Sequence, residues 1–436
     1  MSTSPSTKET TLHHYRDPLA SRLWADPDID FTGVILQATS DDCTHKRFVA
    51  RRTAIMAAQT RPDGVLVCID AWGNAHVDFA SVIEFIGKQG IPLVGLSFAG
   101  VQAAFVVTNP YMDCIVDLNK TAEGVENGVI GDNTAVELDA VKAIGMLKNK
   151  IRRKNPGRII DPSQSRLQRK LQIFEFPLRS VEASSPAGPV NLSGSTTSSV
   201  ELSDGVLRLN LRELEKKVFA WKGEGDQLLQ RLEKISVSII EPGHLDVFVN
   251  AILDFAPLAA KIEGDLGEGD TNLLTGAQLM LTAVDSAGFQ PINAGAATGI
   301  LKNCVRLGRP GTPAPEDYII HVDVLLKEGE AKTREGIMAA HLASDIVIGE
   351  VRTAIRELNR YQAAARRKLI ETARPDLLRV ALVKMTSGVS AMGDTALFPK
   401  DPGGFIESRS IMDFTHNLPL LLSPNEYMDG VIRSMS

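Results

Sequence analysis

The stretch QATSDDCTHKRFVARR, Gln37 to Arg52, sets a thiol, an imidazole, two carboxylates and four basic side chains directly behind the apolar run FTGVIL. If that run is a strand and a helix begins near His45, Cys43 sits at a helix N-terminus. There the helix macrodipole and the side chains of Lys46, Arg47, Arg51 and Arg52 favour an anionic sulfur. His45 is then placed to shuttle a proton. The bland alternative makes Cys43 a small buried side chain with Asp42 as the N-cap. Position leaves both open.

Two further stretches qualify. In DAWGNAHVDF, Asp70 ends a strand, Gly73 permits a tight turn before Asn74, and His76 and Asp78 open a helix. Two positions apart, His76 and Asp78 do not share a helix face, so a metal pair is not expected. A histidine at a helix N-terminus is biased towards the neutral form and suits a hydrogen bond to substrate. Turn-forming and capping roles are the competing reading. In SFAGVQAAFVVTNPYMD, Ser97, Gly100 and Gln102 offer donors to an anion such as a carboxylate. The phosphate-loop, dinucleotide, zinc-protease and G-x-S-x-G serine-hydrolase patterns are missing, and GEGDQ and GDLGEGD read as glycine-acid surface loops. No metal or nucleotide is expected.

The elements that must hold these residues follow from the apolar pattern. GVILQAT, DGVLVCID, IPLVGLSFA and DCIVDLN read as strands, alternating with the helical stretches RFVARRTAIMAAQ and HVDFASVIEFIGKQG. That alternation predicts an α/β fold with a parallel sheet, whose strand C-terminal ends carry the ligand site. The three candidate stretches all fall at such ends. In the second half, SVELSDGVLRLNLRELEKKVFA reads as strand, turn, strand and helix. KISVSIIEPG and YIIHVDVLLKEG read as strands, and REGIMAAHLASDIVIGEVRTAIRELN as a long amphipathic helix. The expected division is an N-terminal arm over 1–30, an α/β domain over 31–150 and a basic segment with a Ser/Pro/Gly-rich linker over 151–200. A mixed α+β domain over 201–390 and a C-terminal extension over 391–436 follow.

Bulk properties narrow the class. With 436 residues, 44% hydrophobic and 23% charged, the chain has an ordinary globular composition and room for two or three domains. A net charge of −6 argues against a general nucleic-acid binder. Four scattered cysteines fit a reducing compartment. No secretory h-region and no run long enough to span a membrane is visible, so a soluble cytoplasmic protein is expected.

Long strings in both halves carry a resemblance. GVLVCIDAWGNAHVDFASVIEFIGKQGIPLVGLSFAGVQAAFVVTNPYMDCIVDLNKTAEGVENGVIGDN resembles part of the D-proline reductase proprotein family, related to component B of glycine, sarcosine and betaine reductases. VELSDGVLRLNLRELEKKV and TGILKNCVRLGRPGTPAPEDYIIHVDVLLKEGEAKTREGIMAAHLASDIVIGEVR resemble its other part, with the two halves in swapped order. The resemblance implies an amino-acid reductase subunit that binds proline or a related cyclic amino acid for dithiol-dependent reductive C–N cleavage, D-proline giving 5-aminovalerate. Family proproteins cleave at an internal cysteine that becomes an N-terminal pyruvoyl group. The position that matches is Cys43, preceded here by Asp42. A selenocysteine- or cysteine-containing reductase subunit is the implied partner, in an oligomeric complex. On this reading Cys43, His45 and His76 are catalytic, and Asp42, Asn74, Asp78, Ser97 and Gln102 bind substrate. The alternative is an unprocessed accessory paralogue that binds a proline-like ligand or scaffolds the complex without catalysis.

Overall fold

The computed structural model describes residues 5–40, 43–69, 71–101, 104–154, 168–184, 199–223, 225–291, 297–374, 376–386, 398–400, 404–406 and 419–433. The chain first lays down α1 (Thr11–Tyr15), α2 (Pro18–Ala25), β1 (Ile29–Ala38), α3 (Cys43–Gln59), β2 (Gly64–Ile69), α4 (Ala75–Lys88), β3 (Leu93–Ser97), β4 (Ile115–Asp117) and α5 (Glu137–Lys154). Asp17 starts α2 by accepting hydrogen bonds from the Leu19 and Ala20 amides, with Pro18 at the first helical position. β1, β2 and β3 are buried almost end to end, as parallel strands covered on both faces must be. Ala54 of α3 and Phe79 and Ile83 of α4 pack on Ile35, Val65 and Val67 on one face. Leu23 of α2 and Leu147 of α5 pack on Val34 and Leu66 on the other.

A second set follows: β5 (Arg169–Pro177), β6 (Ser180–Ser184), β7 (Val200–Ser203), β8 (Val206–Asn210), α6 (Leu211–Ala220), β9 (Leu232–Ile240), β10 (Phe248–Glu263), β11 (Gly269–Asp285), β12 (Ala297–Ile300), α7 (Leu301–Cys304), β13 (Tyr318–Leu326), α8 (Arg334–Arg356) and β14 (Ala365–Glu371). β10 and β11 form a long antiparallel hairpin, and GDLGEGD is its turn. β11 pairs in parallel with β5 along its first part and with β13 along its second. The stripe Ala339, Ala343, Val347 and Val351 of α8 packs on Leu279, Leu281 and Val322.

The chain then returns to the first sheet. β15 (Leu378–Thr386) inserts in parallel between β1 and β2, pairing Leu382 with both Val34 and Leu66. β16 (Phe398–Lys400) and β17 (Gly404–Ile406) make a separate hairpin. β18 (Leu420–Leu422) pairs antiparallel with the outer edge of β1, giving the order β18-β1-β15-β2-β3-β4. The last helix, α9 (Pro424–Arg433), seats Tyr427 and Met428 in the apolar cluster that holds Leu36 and Leu382.

The α/β class stands, with a parallel sheet in the first part and mixed elements in the second. The expected segmentation differs from what the structure shows. Residues 6–20 of the expected 1–30 arm are largely packed inside, with Thr7, Glu9, Thr10, His13, His14 and Asp17 all buried. β5 falls within the expected 151–200 linker, most of which lies outside the described residues. The 201–390 segment supplies a central strand to the first sheet, and the 391–436 extension supplies an edge strand and a helix. Leu171, Ile173, Ala259 and Leu273 of the second sheet share one apolar cluster with Val34 and Leu66 of the first.

Candidate functional site

The C-terminal ends of the parallel strands bring together Thr39-Ser40 after β1, Ala71-Trp72 after β2, and Ser97-Phe98 at β3. Cys43 is the first residue of α3 and is exposed. That rules out the small buried side chain of the bland reading. His45 is exposed as well. Asp42 and Gln102, both expected to bind substrate, lie outside the described residues.

One turn into α3 the chain does something the sequence did not announce. Lys46 turns inward, fully buried, and its ammonium donates to the Ser40 carbonyl and to Asp78 Oδ2 of α4. The Ser40 amide donates to Asp78 Oδ1 at 3.3 Å. Burial raises the Asp78 carboxyl to about 6, against the opposing pull of Lys46. Lys46 is therefore committed to a structural clamp and does not serve Cys43. Arg47 faces Glu84 at 3.7 Å, and Arg47 and Arg51 lie over the Phe85 ring at 5.2 and 5.4 Å. Arg52 lies over Phe48 at 4.4 Å. The basic residues that looked like thiolate partners hold α3 to α4 or cover its apolar surface. Asp78, expected on substrate, instead fixes the loop that carries the reactive candidate.

His76 and Ser97 do meet. His76 Nε2 and Ser97 Oγ share a hydrogen bond of 2.8 Å, both side chains buried, with the Phe105 ring 4.4 Å from the imidazole. Burial lowers the imidazole to about 4, so it is neutral at pH 7. His76 and Asp78 point to different neighbours, as their spacing required. Asn74 is exposed at the N-cap of α4 and its side chain makes no capping bond. Beside them, Trp72 Nε1 donates to Glu126 Oε2 and Thr7 Oγ1 to Glu126 Oε1, each at 2.8 Å, so the N-terminal arm reaches the strand ends.

The arm carries the residues that sequence reasoning missed. Lys384, two positions before the end of β15, lies between Leu36 and Cys68 in the sheet register. Its ammonium stands 2.8 Å from Glu9 and 3.1 Å from Asp17, all fully buried. His13 Nε2 is 3.3 Å and His14 Nδ1 3.7 Å from Glu9, and the Tyr427 hydroxyl donates to Asp17 at 3.0 Å. The Glu9 and Asp17 carboxyls lie below their ordinary range although burial alone pushes them up; Lys384 supplies the largest opposing pull on each. Lys384 is held well above its ordinary value, with burial opposing the two carboxylates. Burial takes His14 down to about 3. The available signal was one lysine in the otherwise apolar run VALVKM: a cation in a strand covered on both faces needs an anion inside. The arm also enters the second sheet, where Thr11 donates from its amide and hydroxyl to Asp254 at 2.9 and 2.7 Å.

With this geometry, comparison with known proteins places the first part of the chain. Residues 2–152 match the glycine/sarcosine/betaine reductase component B subunits. The D-proline reductase proprotein PrdA of Acetoanaerobium sticklandii is 38% identical over 144 residues, which are 33% of this chain and 23% of that protein. The match thus spans about a quarter of the relative's length. No solved structure matches. The segment 2–152 contains the arm, β1 to β4 and every strand-end loop described above, whereas Lys384 and Tyr427 lie beyond it. Among the described residues no group of three or more His, Cys, Asp or Glu is arranged to hold a metal ion, and no helix is long and apolar enough to cross a membrane.

Proposed function

We propose, from the match of residues 2–152 to the glycine/sarcosine/betaine reductase component B subunits, that the chain is the substrate-handling subunit of an amino-acid reductase. The proposed substrate is D-proline or a related cyclic amino acid. The reaction breaks the bond between the α-carbon and nitrogen, and for D-proline opens the ring to 5-aminovalerate. Two electrons and two protons enter as a dithiol becomes a disulfide, by way of a partner subunit bearing a selenocysteine or cysteine.

The observation that carries this reading is the placement of Cys43: exposed, first in its helix, at a strand C-terminal end, on a loop clamped by Lys46, Ser40 and Asp78. A chain cut before Cys43 leaves residue 43 exposed at the start of α3. The position fits a pyruvoyl group, which supplies a ketone carbonyl that withdraws electrons from a substrate amine. This chain's own residues then have distinct tasks. The clamp fixes residue 43, neutral His76 with Ser97 offers an uncharged polar pair near the strand ends, and exposed Asn74 offers an amide.

Such a cut does not free the N-terminal piece. Residues 1–42 contain β1, paired on both edges, and Glu9 and Asp17, both buried against Lys384. The nicked protein stays together natively and separates in denaturant. Mass spectrometry under denaturing conditions tests the reading: a fragment beginning at residue 43, with a carbonyl trapped by hydrazine, is expected. An intact Met1–Ser436 mass with no trapped carbonyl sinks the pyruvoyl claim. The exposed thiol favours a second reading, in which intact Cys43 acts directly as nucleophile. Loss of dithiol-dependent ring opening in Cys43→Ala, with the wild-type mass still full length, is its signature.

A further inference from the structure

A basic cavity lies away from the strand ends. It measures about 650 Å³ and is lined by Arg16, Arg22, Arg309, Glu137, Ser21 and Gly308, among others. Arg22 faces Glu137 at 3.4 Å, so those two charges offset one another. Arg16 and Arg309 differ. Both are half-buried, and among the described residues neither comes within ion-pair distance of a carboxylate, Asp132 acting on Arg309 only at longer range. Arg16 donates to the Thr312 carbonyl at 3.4 Å.

The loop that presents Arg309 is tied down. Buried Thr312 donates from its hydroxyl to the Arg306 carbonyl at 2.7 Å and accepts the Arg309 amide at 3.1 Å. The Gly308 amide donates to the Pro313 carbonyl at 2.8 Å, and Thr10 of the arm donates to the Gly311 carbonyl at 2.6 Å. The loop is therefore stapled to the same arm that carries Arg16. Two guanidinium groups that line one cavity with no carboxylate in ion-pair contact, Asp132 acting on Arg309 only at longer range, suit an oxyanion with paired acceptors. A second lobe of about 400 Å³ shares Arg16 and Ser21 and adds Gln278, Thr275 and Leu273. That lobe can hold the body of a molecule whose anionic end sits between the arginines. Arg367, which also lines it, already pairs with Glu175 at 2.7 Å.

We propose that Arg16 and Arg309 form a binding site for a small phosphate-type dianion, free or carried on an organic body that enters the second lobe. Calorimetric titration of the full chain with inorganic phosphate, and separately with phenyl phosphate, at ionic strength fixed with potassium chloride, tests it. Saturable one-site binding is expected, weakened at least tenfold in Arg309→Gln and in Arg16→Gln, while Arg22→Gln stays near wild type. Arg309 sits on a surface loop, so Arg309→Gln keeps the fold, as circular dichroism verifies. Tighter binding of phenyl phosphate assigns an organic phosphate, and tighter binding of inorganic phosphate assigns the free ion. No saturable heat with either, or equal affinity in folded Arg309→Gln, overturns the site.

Discussion

Replacing Lys384 with methionine keeps an unbranched apolar stem in β15 and removes the ammonium that exerts the largest favourable pull on both Glu9 and Asp17. Those carboxylates, 2.8 and 3.1 Å from the ammonium and fully buried, lose their strongest countercharge. Breaking a buried pair by removing one partner costs about 3–5 kcal/mol, so Lys384→Met should lose about 4 kcal/mol at pH 7. The pH dependence identifies the cause. In the wild type the two carboxyls are depressed, so their contribution is complete above their ordinary values near 4 and is lost only as pH falls below them. Between pH 7 and 5 that contribution is flat. In the variant at least one carboxyl is raised into this window and takes up a proton on folding as pH falls, regaining roughly 2–3 kcal/mol over two pH units. His14, lowered to about 3 by burial with Lys384 adding to the push, costs the wild type stability as pH falls below its ordinary value; removing Lys384 relieves part of that cost, so its change adds to the variant's recovery at pH 5. Urea unfolding followed by the fluorescence of the three tryptophans at both pH values measures it. A loss under about 1 kcal/mol at pH 7, or an equal loss at pH 5, refutes the reasoning.

Lys46→Met should cost about 3 kcal/mol by stranding Asp78 and should raise the alkylation rate of Cys43, measured with iodoacetamide, because the loop it clamps loosens. Adding Asp78→Asn should restore part of the stability. Burial raises Asp345 to about 8, so its native form keeps a proton that the unfolded chain sheds, and stability falls as pH climbs from about 4 to 8. Asp345→Asn should flatten that decline in unfolding curves at pH 5 and 8. Gly87→Ala puts a methyl 2.2 Å from the Tyr111 ring. Expect a loss of about 1–3 kcal/mol, seen as a lower urea midpoint, and partly recovered by Tyr111→Leu.

The sheet nucleus was readable because β1, β2 and β3 are compact apolar runs divided by helical stretches, and α3 and α4 fell where their periodicity put them. The β10–β11 hairpin was not. Its run AILDFAPLAA contains Pro257, which argues against a paired strand, and the structure absorbs it at the register shift between Ala256 and Leu258. Cys43 was correctly singled out as a strand-end residue, but its basic neighbours were misjudged because helical phase alone does not say that Lys46 finds Asp78 behind it. The arm failed for a related reason. KETTLHHYRD is polar, and polarity reads as solvated until a distant partner such as Lys384 is known.

The strand at the middle of the first sheet is made long after both of its neighbours. Thr32 hydrogen-bonds to Val380, 348 residues further along the chain. During synthesis β1 and β2 therefore wait on either side of an open slot, each with an unsatisfied edge and apolar faces, until residues 378–386 leave the ribosome. Non-local closure of this kind slows folding and lengthens exposure to aggregation. Fragments that stop near residue 152 should collect as insoluble protein, and chaperone demand should fall on the nascent N-terminal third rather than on the completed molecule.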